Sequence, residues 1–153
     1  SALLPSVGEF DVWPKSVKVQ RVIVGATSSD GDEDLVSSGT TEAFALFDVQ
    51  AGTYVYDVKC SIETAFTASV TLAVGDTTDV DGWMETGQIA ATSTGVLMNY
   101  STGAADTTGT ILGLYSLNGQ YFPSSGAIEL AIAGAAAAVG RAIFYVKYAQ
   151  LSS

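Results

Sequence analysis

TYVYDVKCSIETAFTASVTLAVGDTTDVDGW, residues 53–83, is the stretch from which the fold is read. From Tyr54 the apolar side chains occupy every second position, at Tyr54, Tyr56, Val58, Cys60 and Ile62, and Asp57, Lys59, Ser61 and Glu63 interleave them. A period of two puts one set on a core face and the other on a wet face of a β-strand. A helix, turning about 100° per residue, would scatter the same side chains around its circumference and leave no apolar stripe. After a break at residues 64–68, Val70, Leu72 and Val74 resume the alternation. The two strands are expected to fold back on one another as an antiparallel hairpin that hides both apolar faces together.

Upstream, KSVKVQRVIVG (15–25) is rich in β-branched residues and predicts the first full strand, with Val17, Val19 and Ile23 on one parity. A polar loop follows, then a strand over 42–49, and QAGT (50–53) is a tight link into the Tyr54 strand, so this half reads as a meander. Downstream, 88–91 and 95–100 read as two short strands or one strand with a bulge, and NGQYFPSSG (118–126) as a loop presenting Tyr121 and Phe122. AIELAIAG (127–134) and RAIFYVKYAQL (141–151) close the chain as strands joined by AAAAVG. Four alanines before a valine and a glycine are too few to nucleate a helix, so that join is expected to be a loop or single turn. Both faces of the last strand are largely apolar, which makes it central in a sheet or leaves one face for another subunit. The fold class is therefore all-β, an antiparallel β-sandwich or jelly roll of about eight strands, over residues 16–153.

Residues 1–15 differ. SALLPSVGEFDVWP has two prolines and no sustained period, and it reads as an extended N-terminal arm. Leu3, Leu4, Phe10 and Trp13, with Lys15 behind them, need an apolar surface, which either the domain's own flank or a partner can supply.

At 153 residues the chain fits one domain that needs neither disulfide nor metal to stand. Its single cysteine excludes an internal disulfide. Charged residues make up 14%, against about 25% in an average globular chain, and the difference is Ala, Gly, Ser and Thr, a surface easily desolvated against partners. A net charge of −10 with six basic residues disfavours nucleic acid and anionic membranes as partners. Lys15, Lys18 and Arg21 make the start of the chain the better place for an anionic partner. No apolar run is long enough for a membrane-spanning helix, so the chain is expected to be soluble.

Chemistry-bearing groups are sparse. Without histidine the usual base for a serine or cysteine nucleophile is missing, and Cys60 lies on the inward parity of its strand; no enzymatic activity and no cofactor are expected. Asp76, Asp79 and Asp81 fall within six residues, a spacing that suits Ca²⁺ or, more simply, an Asx-type turn in which carboxylates accept backbone N–H groups. Asp30, Asp32 and Asp34 copy the start of an EF-hand loop, but Leu35 and Thr41 stand where it needs glycine and glutamate, so a solvated loop is expected and no metal ligand is assigned. Trp83, Tyr100, Tyr115, Tyr121 and Phe122 fall in or beside loops, where rings can stack on sugars or cap a core. Trp83, Tyr121 and Phe122 are the loop residues to test for contacts, and a carbohydrate-binding module of head-fibre, tail or adhesin type is the alternative reading.

The strand leading into Gly75, Asp79, Asp81, Gly82 and Trp83, followed by the closing pair over 127–151 with its Gly/Ala join, resembles small structural proteins of tailed bacteriophages. The resemblance covers roughly the C-terminal half. It implies a head decoration, or cement, protein on the outer capsid surface, commonly a homotrimer, whose partners are its own copies and the major capsid protein, and whose role is to clamp neighbouring major-capsid subunits.

Overall fold

The structure, a computed structural model, describes residues 17–26, 33–34, 42–67, 70–85, 89, 91, 94, 97–98, 115, 118–134 and 138–151. The arm residues Leu3, Leu4, Phe10, Trp13 and Lys15 lie outside these, as do Asp30, Asp32 and Tyr100.

Nine strand segments are described: β1 (Lys18–Gly25), β2 (Glu33–Asp34), β3 (Glu42–Val49), β4 (Thr53–Thr64), β5 (Val70–Gly75), β6 (Leu97–Met98), β7 (Gln120–Phe122), β8 (Gly126–Gly134) and β9 (Arg141–Gln150). They form two sheets, one ordered β2-β1-β9-β4-β6 with β7 also on β4, the other β3-β8-β5. All pairings are antiparallel except the two-residue β1–β2 ladder. Apart from the two-residue β2 and β6, the chain changes sheet at each strand in turn, from β1 to β3, β4, β5, β7, β8 and β9. First and last strands lie side by side, and the winding is that of a jelly roll.

This winding corrects two expectations. β4 and β5 do not pair; β4 lies against β9, β7 and β6, and β5 against β8. Nor do β1, β3 and β4 make a meander, because β3 belongs to the other sheet. The physical demand was only that two apolar faces meet, and they meet across the sandwich instead of side by side. The closing strand does sit in the middle of its sheet, between β1 and β4, as its two apolar faces required.

The core is one cluster drawn from both sheets. β1, β9 and β4 supply Val24, Ala142, Phe144, Val146, Val58, Cys60 and Ile62, and they meet Phe47, Val49, Leu72, Val74, Ile128, Leu130 and Ile132 of the other sheet. Full burial of each such aliphatic or aromatic side chain contributes roughly 1.5–3 kcal/mol. Register against β9 shifts between Val55 and Asp57, so a bulge at Tyr56 breaks the even parity of β4. Val55 enters the core in place of Tyr54 and Tyr56, whose rings meet edge-on, 4.9 Å apart, on the other side. In β1 the inward residues are Val22 and Val24, and the parity shared by Val19 and Ile23 faces outward.

Candidate functional site

The acidic turn after β5 is the most ordered polar construction among the described residues. Gly75 ends β5, and a Cβ there would collide with the backbone of Asp79 and Val80, so only glycine lets the chain double back this tightly. Asp76 N–H donates to Asp79 O at 2.9 Å, and Asp76 Oδ1 accepts from the N–H groups of Thr78 at 2.9 Å and Asp79 at 2.8 Å. This is the Asx-type turn that the spacing suggested. The returning strand then bonds to β5, with Val74 N–H donating to Met84 O at 2.9 Å and Trp83 N–H to Val74 O at 2.9 Å.

Two side chains distant in sequence, Tyr115 and Gln120, fasten this turn, and Trp83 at its end joins them. Tyr115 Oη donates to Asp76 Oδ2 at 3.1 Å, and Gln120 Nε2 donates to the same oxygen at 2.5 Å. Trp83 Nε1 donates to Gln120 Oε1 at 3.1 Å, and the indole lies 5.9 Å from the Tyr115 ring. Gln120 belongs to β7 and Asp76 follows β5, so the network ties one sheet to the other at the sandwich edge. Burial, then the charge of Asp76, pushes the Tyr115 hydroxyl up to about 12. Burial, together with the hydrogen bond and charge of Asp81, raises the Asp79 carboxyl above its ordinary value.

The residues singled out for contacts fall on opposite sides of the surface. Trp83 is 1% exposed and Phe122 is 7% exposed; both are core residues, one of the two roles open to these rings, and neither is a loop contact. Trp83 is drawn in because the turn folds its strand back onto β5, and Phe122 because residues 120–122 form β7 on the edge of β4 instead of a loop. Tyr121 is 49% exposed, with Tyr54 directly opposite it on β4. Glycine is needed beside this pair: Gly119 has φ +73°, and a Cβ there would lie 2.7 Å from the Tyr54 hydroxyl. Tyr54 donates that hydroxyl to Asn118 O. Sequence reading missed Gln120, since nothing in its neighbourhood marks a residue that bonds across more than 40 positions.

Cys60 is wholly buried, and burial pushes its thiol up to about 12, the reverse of what a nucleophile requires. No group of His, Cys, Asp and Glu with the arrangement of a metal site occurs among the described residues.

No family model matches the sequence, and no curated protein matches it. Solved structures do share the fold. Over 97% of its length the chain is similar to a chain of the cyanophage Pam1 capsid asymmetric unit, 92% of which is covered, with a TM-score of 0.54 and 19% identity. It is also similar to a chain in an acidic stable capsid structure of Helicobacter pylori bacteriophage KHP30, with 91% of each covered, a TM-score of 0.50 and 10% identity. Both structural neighbours come from phage capsids, and what this chain shares with them is the fold.

Proposed function

We propose that the chain is a structural protein of a phage virion, lying on the outer surface of the capsid and clamping neighbouring major-capsid subunits. The observation that carries this reading is the end-to-end fold likeness to chains of two phage capsids, which spans the sandwich and leaves little of either chain over. The physical character of the molecule supports it: a fully packed two-sheet core, a cross-sheet polar lock and a sparsely charged surface suit a part that is gripped by neighbours. The role is non-catalytic in this reading, and the copies form a closed trimer, which also covers exposed sheet edges. Residues 1–15, with Leu3, Leu4, Phe10 and Trp13, act as the arm that lies across a neighbouring subunit.

The glycan-binding alternative loses Trp83 and Phe122 to the core, because neither can stack on a sugar from inside the sandwich. The test is to heat purified phage particles with and without this chain bound. Particles carrying it are expected to release their genome at a higher temperature, and deletion of residues 1–14 to lower occupancy while the sandwich stays folded. Equal release temperatures would remove the clamping role, and full occupancy by the truncated chain would remove the arm's part in attachment.

A further inference from the structure

Topology gathers the rare cations. Lys18 and Arg21 lie on β1, Lys59 on β4, and Arg141 and Lys147 on β9, so five of the six basic residues occupy three adjacent strands of one sheet. Register sorts them further. Tyr145 lies between Arg21 and Lys59, and Lys147 between Val19 and Asp57, all on the parity opposite to the core residues Val22, Phe144, Val146, Val58 and Cys60. Among the described residues of β1, β9 and β4 the outer face carries, with Arg141, four cations against two carboxylates, Asp57 and Glu63, which pair with Lys59 at 3.6 Å and Arg141 at 2.9 Å, and Asp34 of β2 stands in register with Gly25 at its edge. A surplus of positive charge thus marks one face of a chain whose net charge is −10. Val19, 66% exposed, stands beside Lys147 at its β1 edge.

The opposite sheet offers no cation among its described residues, and the turn that leaves it carries three carboxylates, Asp76, Asp79 and Asp81. Its tip is apolar: Val80 is 57% exposed between Asp79 and Asp81, which repel one another. The Asp76 network already fixes this turn, so docking it costs little conformational entropy.

We infer that the outer face of β1, β9 and β4 receives the acidic turn of a second copy of this chain, with Val80 set against Val19 and Tyr145 and with Asp79 and Asp81 facing Arg21 and Lys147. Phosphate backbones fit this face poorly, since Asp57 and Glu63 lie on it. The contact joins two different surfaces, an edge turn and a sheet face, so it repeats from copy to copy and makes a ring where the rotation between copies closes. The inference rests on the reading of the chain as a self-assembling virion part and names the surfaces that assemble.

Sedimentation of the purified full chain tests it. The unmodified protein is expected to sediment as a closed oligomer at micromolar concentration and to loosen in about 1 M salt, where charges are screened beyond about 3 Å. Arg21→Glu with Lys147→Glu, on the face, and Val80→Arg with Asp81→Lys, on the turn, are each expected to give folded monomers with an unchanged β-sheet spectrum. Mixed together, the face variant still offers a native turn and the turn variant a native face, so a dimer should return. An unmodified chain that stays monomeric, a face variant that assembles like the parent, or a mixture that remains monomeric would overturn the contact. Particle binding is scored separately: a monomeric parent that still coats particles contradicts this contact and leaves the virion reading intact. Oligomers that ignore particles support the contact and remove the virion reading.

Discussion

Asp76 and Tyr115, 39 residues apart, meet through a hydrogen bond of 3.1 Å from the phenol to Oδ2, and that carboxylate also caps its own turn and accepts from Gln120. One side chain therefore fixes a loop locally and joins two sheets. Tyr115→Phe removes the donor and keeps the ring beside Trp83, so it is expected to cost about 1–2 kcal/mol in a denaturant titration. Asp76→Asn should cost more, because one of its atoms becomes a donor facing donors.

Alkaline pH provides a second handle on the same bond. The folded-state value of Tyr115, about 12, lies above the ordinary tyrosine value of 10.0, so its contribution is complete below pH 10 and is lost as pH rises through 12. Cys60, raised from 9.0 to about 12, adds a loss that starts about one pH unit lower. Melting temperature should fall across this range, and Tyr115→Phe should make the fall shallower. An unchanged slope in the variant would show that Tyr115 ionises as freely in the folded chain as in the unfolded one.

Asp79 works in the acid direction. Burial and Asp81 raise its folded value above 3.8, so the folded state binds this proton more tightly and stability falls as pH rises from 3.8 through the raised value. Asp79→Asn keeps the backbone turn, removes the repulsion, and is expected to melt higher than the parent at neutral pH. The gap should close on acidification, which melting curves of both proteins at a series of pH values will reveal.

Cys60 should not react with a disulfide reagent at pH 8 while the chain is folded, and should react fully once the chain is denatured. Labelling of the folded protein at the rate of a free thiol would mean that β4 opens readily from its place beside β9.

Gly82 is held by close approach, since a Cβ would lie 2.5 Å from ring carbons of Tyr115. Gly82→Ala is expected to destabilise by about 1–3 kcal/mol, the range for overpacking. Trp83→Ala belongs to the cavity class, at about 3–5 kcal/mol, so a loss of any binding in that variant would report unfolding first.

Much of this was legible in the sequence, and the illegible part has a physical pattern. The positions of β1, β3, β4, β5, β8 and β9 followed from alternation, and the central place of β9 from its two apolar faces, whereas β7 lay in a segment that read as a loop. Pairing did not follow, because Val70, Leu72 and Val74 can satisfy the faces of β4 from beside it or from across the core, and alternation is the same in both cases. The bulge at Tyr56 hid which of Tyr54, Val55 and Tyr56 points inward, since a tyrosine suits either side of a sheet. Asp76 was readable as a turn former from its local spacing, whereas Gln120 and Tyr115 become its partners only through the fold. The cations looked like a feature of the N-terminus, and they converge on one face only because the first strand lies beside the last.

Gradient-purified particles whose proteins are quantified by mass test the central claim most directly. Assembly onto a capsid predicts this chain at a fixed ratio to the major capsid protein, unchanged through repeated banding and lost only when the shell itself is disrupted. Its absence from banded particles, or a ratio that declines with each round of washing, would contradict the claim.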